Sequence, residues 1–326
     1  MKVLAPVNSV ESACAQISVG ADEIYVGLKT DVYKNYSFSG RGQKNDKDEL
    51  IVPAEKDLAE IVSIAHSRNV EVSLVANTPL FSDALDKRSG VVKEFNKYVE
   101  NGIKCGVDNI IVGDIGLLYQ LGKQNLPVNI HASTFFDSMN IEQLIFFKEL
   151  GASRVVLTYQ VSLDEIRELC AANIVEIEVF GYMGCSFFNG ACNLVHSMGE
   201  ECGKNGIQLG VPCKATYKVY GPEIEENIEA PWLDAELGCA LCNVKLLLEA
   251  GVNVIKIVGR DRNYKLTAAA TELFRQAVDI ANKSGITNYD SEVKKIRFEW
   301  WKRVWCEKNR CKYSMNDITK SYIGNY

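Results

Sequence analysis

Six cysteines fall between residues 185 and 242: Cys185, Cys192, Cys202 and Cys213 in a Gly- and Asn-rich stretch, then Cys239 and Cys242. The stretch opens directly after the strand-like run Val175–Phe180. Thiolates gathered beyond a strand end, in a segment too irregular to pack as a core, suit a thiophilic metal or an iron–sulfur cluster. The plainer reading, buried apolar cysteine, fits Cys14, Cys105 and Cys170, each single within helix-like apolar periodicity. Four donors close such a site, and Cys185, Cys192 and Cys213 are the first three. Cys239 is the fourth by its spacing from the Ala250-Gly251 turn, with Cys242 as the alternative and Cys202 as a further thiol. No CxxC…CxxC zinc-ribbon spacing occurs and only His196 is close, so zinc is the alternative to a cluster.

Proteolytic chemistry finds less support. A cysteine nucleophile needs an adjacent base, and the chain has three histidines: His66 in a helix, His131 at a strand end and His196 in the cysteine stretch. A zinc peptidase would carry an HExxH-like pair on one helix, which is absent. Other polar groups stand at strand ends. His131 with Ser133 and Thr134 closes one strand; Glu178 shares a strand side with Phe180; Lys256 and Arg260 lie on the last strand. His131 reads equally as a hydrogen-bonded interior residue or a catalytic group. Glu178 has the chemistry of an acid or base, or of a group that orients a ligand loop. Arg260 suits a carboxylate ligand, or pairs with Asp261.

These residues need elements to position them. Short β-branched runs alternate with amphipathic helices: strands at Lys2–Ala5, Glu23–Leu28, Val70–Ala76, Asn109–Gly113, Val128–Ala132, Arg154–Thr158, Val175–Phe180 and Val252–Val258. Eight strands in strict βα alternation, several apolar almost throughout, predict an α/β fold of the (β/α)8 TIM-barrel type over residues 1–285. The two long connections after strands, Lys29–Pro53 and Gly181–Cys239, then meet at the C-terminal mouth; the cysteine loop spans 181–242. Residues 286–326 change character. Lys294–Tyr313 holds eight Lys or Arg against two Glu, with three of the four tryptophans. A helix of that kind packs its Trp face on the barrel or on a second subunit, or else stacks on bases.

Composition bounds the reading. Hydrophobic content of 47% with 24% charged residues is that of a globular protein, and a net charge of −6 gives no case for broad nucleic-acid binding. No signal peptide or membrane-length apolar run is visible, and eleven cysteines without secretory features point to a reducing, cytoplasmic compartment.

The chain resembles the U32 peptidase family, collagenase-like by name. The opening LAPVNSVESACAQISVGADEIYVG is similar to that family's start. Its core signature stands here as Glu178-Val179-Phe180 followed by Cys185, Gly190 and Cys192; Cys213-Lys214 with Tyr217 and Leu246–Arg260 match later segments. The spacing between Phe180 and Cys185 is one residue short. Val195 stands where a Ser is usual, Val258 where an acidic residue is usual, and Tyr159-Gln160 where an Arg-Glu pair is common. The resemblance implies a [4Fe–4S] cluster and oxygen-independent hydroxylation of an RNA base or a small-molecule acceptor, with prephenate as hydroxyl donor. It matches Arg41 to an Arg of the family, so Arg41, Lys256 and Arg260 are candidates for the donor's two carboxylates. A hydrolase, or a cluster-bearing partner subunit without catalysis, is the alternative. No membrane partner is expected; homo- and hetero-oligomers are both compatible with the sequence.

Overall fold

The computed structural model describes residues 1–29, 52–77, 85–184, 216–219, 228–230, 238–283, 286–308 and 310–313. Eight parallel strands close into a barrel: β1 (Lys2–Pro6), β2 (Glu23–Val26), β3 (Glu71–Ala76), β4 (Asn109–Val112), β5 (Asn129–Ala132), β6 (Arg154–Val156), β7 (Glu176–Tyr182) and, after a small antiparallel pair β8 (Tyr217–Val219) and β9 (Ile228–Ala230), β10 (Val254–Ile257). Closure is through β1, which pairs with β2 on one side and β10 on the other. Helices α1 (Val10–Ser18), α2 (Glu55–His66), α3 (Leu85–Lys104), α4 (Ile115–Gly122), α5 (Ile141–Glu149), α6 (Leu163–Ala171), α7 (Val244–Glu249) and α8 (Tyr264–Ala281) surround it. All eight barrel strands fall where β-branched residues cluster, because a strand covered on both faces must be apolar on both. Before β10, a 3-10 turn, Leu241–Asn243, precedes the short α7.

Local chemistry sets the helix ends. Ser9 and Ser162 close capping boxes, and Asp114, Asn140 and Asn263 each accept a backbone N–H at their helix starts. Four helices return to the barrel through one kind of turn: glycine at positive φ, a buried apolar residue, then a polar one (Gly20–Asp22, Gly106–Asp108, Gly151–Ser153, Gly251–Asn253). The polar residue then ties neighbouring strands together. Asp22 accepts from Val3 N–H at 2.7 Å, Asp108 from Val72 N–H at 2.7 Å, and Asn253 from Ile177 N–H at 2.8 Å. The turn therefore fixes strand register as well as chain direction.

The tail is broken into pieces, where one helix through Lys294–Tyr313 was expected. α9 (Tyr289–Ile296) stops at Arg297, whose backbone is extended, and α10 (Glu299–Trp301) runs into a π turn, Lys302–Cys306. The break lets Trp301 and Trp305 both face the barrel. Trp301 is fully buried, stacked on Tyr182 at 5.1 Å between ring centroids and edge-on to Phe274 at 6.4 Å; Trp305 meets Tyr182 at 5.2 Å. Arg303 and Lys308 point to solvent. The aromatic face of the tail thus packs on the barrel. Trp301→Ala should lower stability by about 3–5 kcal/mol in urea unfolding, the usual cost of removing a buried aromatic; a loss below about 1 kcal/mol would mean the tail contributes little to the core.

Candidate active site at the barrel mouth

Inward-facing residues fill the barrel in layers. A small apolar group, Leu4, Tyr25, Val75, Ile111 and Val254, shares the interior with an ion network. Arg154, on β6, is the hub: its Nη1 donates to Glu23 Oε2 at 2.7 Å and lies 3.4 Å from Glu178 Oε2, while Nε donates to Glu176 Oε2 at 2.9 Å. Lys256 Nζ donates to the other Glu178 oxygen at 2.8 Å. Glu23 and Glu178 are inaccessible to solvent and Arg154 nearly so. Ser73 donates to Glu23 from the adjacent strand. Burial opposes the charge on Arg154, but Glu23 and Glu178 outweigh it and hold the guanidinium more firmly protonated than usual. Burial, aided by the charge on Glu178, raises the Glu23 carboxyl, and Arg154 opposes that rise.

His131 sits in this interior, opposite Arg154 across the β5–β6 pair. Burial, then the positive charges of Arg154 and Lys256, push its pKa well below the ordinary value. That shift favours the neutral imidazole, and its Nδ1 has no hydrogen-bond partner among the described residues. Above it, Asn77 donates to Ser133 Oγ at 2.9 Å, and Asn77 Oδ1 has no partner among the described residues; Asp137 Oδ1 and Ser138 Oγ, in the connection after β5, are likewise buried with no partner among the described residues. Buried polar atoms cost about 1–3 kcal/mol each when unsatisfied, so this polar set at the ends of β3 and β5 suits a bound polar ligand or water. Across the mouth, Tyr25 donates to Ile257 O at 3.0 Å, with Lys256 Nζ at 4.6 Å and the Arg260 guanidinium at 5.3 Å from its ring centroid.

The third part of the mouth is built by the tail. Cys239 is buried and fixed by backbone on two sides. Its neighbours pair with the end of β7, Met183 N–H to Gly238 O and Ala240 N–H to Gly181 O, both 2.8 Å. Cys239 itself donates to Arg310 O at 3.0 Å and accepts from Lys312 N–H at 2.9 Å. Tyr159 packs so tightly on Gly238 that a Cβ there would lie 1.7 Å from its hydroxyl oxygen. Lys312 is buried, with Nζ 3.7 Å from the Tyr159 ring centroid and 3.3 Å from Phe180 O. Burial holds its pKa well below the usual range.

A profile of peptidase family U32 matches residues 8–316. The chain belongs to peptidase family U32. Relatives are distant: a 23S rRNA 5-hydroxycytidine C2501 synthase of Escherichia coli is 26% identical over 281 residues, 86% of this chain and 39% of the relative. A collagenase of Porphyromonas gingivalis is 24% identical over 293 residues (85% and 65%), and tRNA hydroxylation protein P1 of Bacillus subtilis 24% over 288 (85% and 63%). The chain thus spans from about two-fifths to two-thirds of the length of these U32 relatives.

The structure brings Glu178, His131, Lys256 and Arg260 to one interior and mouth, and sets Cys239 and Cys242 beside it on the turn before α7. Arg41, Cys185, Cys192, Cys202 and Cys213 lie outside the described residues. Glu178 has both oxygens engaged, so its observed task is to hold Lys256 and Arg154; acid–base work at the mouth would require releasing one of them. Asp261 lies 4.0 Å from Arg262, and Arg260 lies over Tyr25. Arg154, Glu23, Asn77 and Lys312 are site residues that the sequence reading missed, and Tyr159 entered it only as a departure from the family pattern. A charged residue at an inward position of an otherwise apolar strand was the available signal for Arg154 and Glu23; Lys312 had none, because its position depends on the tail's path.

Arg154→Met should cost about 3–5 kcal/mol, since it strands two buried carboxylates; a loss below about 1 kcal/mol would show that the network is solvated. Stability should also fall with acid. Below the ordinary histidine pKa of about 6.5 the unfolded chain binds a proton that native His131 refuses, so this group removes up to about 1.4 kcal/mol per pH unit until its native pKa is reached. His131→Gln should flatten that part of the pH–stability curve; an unchanged curve would exclude His131 as its source.

Proposed function

We propose that this chain is an iron–sulfur enzyme that hydroxylates an RNA base or a small-molecule acceptor without molecular oxygen, using a prephenate-like dicarboxylate as hydroxyl donor. The family match over nearly the whole chain, together with relatives named for rRNA and tRNA hydroxylation, is the observation that carries it. The proposed [4Fe–4S] ligands are Cys185, Cys192, Cys213 and Cys239, with Cys242 as the alternative fourth. Of these, Cys239 is described, and its setting fits: a buried thiol, backbone-fixed at the end of β7, where barrel enzymes do their chemistry. A bound cluster would supply a redox-active Lewis-acid centre at the mouth.

The chain's own residues then have distinct tasks. Arg260 and Lys256, beside Tyr25, form a positive rim that suits a donor carboxylate, with Arg41 as a third candidate. Glu178 holds Lys256 in position from below. Asn77 Oδ1 and Ser138 Oγ offer hydrogen bonds to a polar acceptor on the opposite side. His131 is neutral and buried, which suits positioning better than proton removal. That same neutrality and burial weaken a hydrolase with His131 as general base, while His66 pairs with Asp108 at 3.0 Å on the N-terminal side of the barrel, away from the mouth.

Anaerobically purified protein should contain about four irons and matching acid-labile sulfide per chain, and Cys185→Ala or Cys192→Ala should lose both. Iron-free protein with those cysteines dispensable would sink the proposal and favour zinc or a hydrolase.

A further inference from the structure

Helices that surround a barrel bury one apolar stripe and turn a polar face to water. α2 does so with Glu55, Lys56, Asp57 and Glu60 exposed, and α6 with Asp164, Glu165, Arg167 and Glu168. α4 and α5 do not. α4 contains no charged residue, and its outward side chains are Ile115 and Tyr119; on α5 and the turn before it, Met139, Ile141, Ile145 and Phe146 face out. These six are 37–49% exposed, although each helix also buries its own inner apolar stripe against the barrel. Among the described residues, the other large apolar side chains exposed to this extent, Tyr217, Leu266 and Val304, lie singly on separate elements. The inner stripes belong to the core, and the outer set has no task within the chain.

The outer set forms one surface. α4 and α5 follow neighbouring strands, and their C-terminal ends meet backbone to backbone: a Cβ on Gly122 would lie 1.9 Å from Leu150 O. Ile115 and Tyr119 are one helical turn apart, as are Ile141 and Ile145. The border carries both signs, Lys123 and Lys148 with Glu142 and Glu149, all exposed, and Lys123 Nζ stands 4.0 Å from the Tyr119 ring centroid. An apolar centre containing Tyr, Phe and Met inside a polar rim is the anatomy of a protein–protein interface. A face that lies on a membrane has a basic border, and a border of balanced charge has no excess cation for RNA phosphates.

The charges on α5 select the occupant. Glu142 and Lys148 stand three residues before and three residues after Ile145. A two-fold axis through Ile145 lays α5 antiparallel on its copy, sets Ile145 against itself and brings Glu142 opposite Lys148 of the second copy, twice. Parallel apposition would set each charge against its like. We propose that the α4–α5 face binds a second copy of this chain as an antiparallel two-fold dimer, with the two barrel mouths pointing in opposite directions. A standard interface takes about 800 Å² from each partner; the six apolar side chains form its centre and the charged border its rim. The dimer goes beyond the hydroxylase reading and does not rest on it, since α4 and α5 contribute none of the proposed cluster or donor ligands.

The test is sedimentation velocity of the full chain across the micromolar range. The unaltered chain should sediment as a dimer. Ile145→Glu places two carboxylates on the axis and should give a monomer with unchanged far-UV circular dichroism and iron content. Glu142→Lys alone, or Lys148→Glu alone, should weaken association by about tenfold, because the ion pair occurs twice in a two-fold contact. Both reversals together should restore it, and this series decides the matter even if Ile145→Glu does not fold. An unaltered chain that stays monomeric throughout, or a dimer indifferent to Ile145→Glu in folded protein, would overturn the proposal. So would single reversals without effect, or a double reversal no better than either single one.

Discussion

Everything at the mouth rests on the charge balance inside the barrel. Glu23 and Glu178 are carboxylates without solvent, which is tolerable because Arg154 touches both and Lys256 takes the remaining oxygen of Glu178. That arrangement fixes four strands, β2, β6, β7 and β10, through side chains as well as backbone. It also decides what the neighbouring groups can be. Burial, then the charges of that positive pair, disfavours protonation of His131, and Lys256 is held at the height of Tyr25 and Arg260 because Glu178 anchors it. The floor thus presets the charge pattern that a ligand meets.

The tail is the second determinant. In a (β/α)8 barrel the loops after strands build the site, but here residues 310–313 also enter it, pairing with Cys239 and inserting Lys312 beneath Tyr159. Burying Trp301 and Trp305 against Tyr182 is what holds those residues there. Packing energy from one element is in this way converted into geometry at another. Gly238 is required by the same contact, since any side chain at that position would collide with Tyr159.

Much of this was legible from residue order. β-branched runs at regular spacing located all eight barrel strands, because burial on both faces leaves few residue types acceptable. His131, Lys256 and Glu178 were readable as interior or mouth residues from strand alternation. The partners were not readable: that Glu178 would be saturated, or that Arg154 would be the hub, depends on which strands become neighbours and at what register. The broken tail was hidden as well. Its Trp spacing fits one amphipathic helix, and only the extended backbone at Arg297 shows that the chain turns to bring Cys306 and Cys311 to Cys242.

The central claim is that the positive rim and the proposed cluster serve a dicarboxylate hydroxyl donor. The most direct measurement is anaerobic consumption of prephenate by iron-replete protein, followed by chromatography, with total cellular RNA or a small-molecule extract as acceptor. The account predicts consumption coupled to a product heavier by one oxygen, and loss of both on Arg260→Ala with iron content unchanged. Iron-replete protein that leaves prephenate untouched in the presence of either acceptor pool would contradict it.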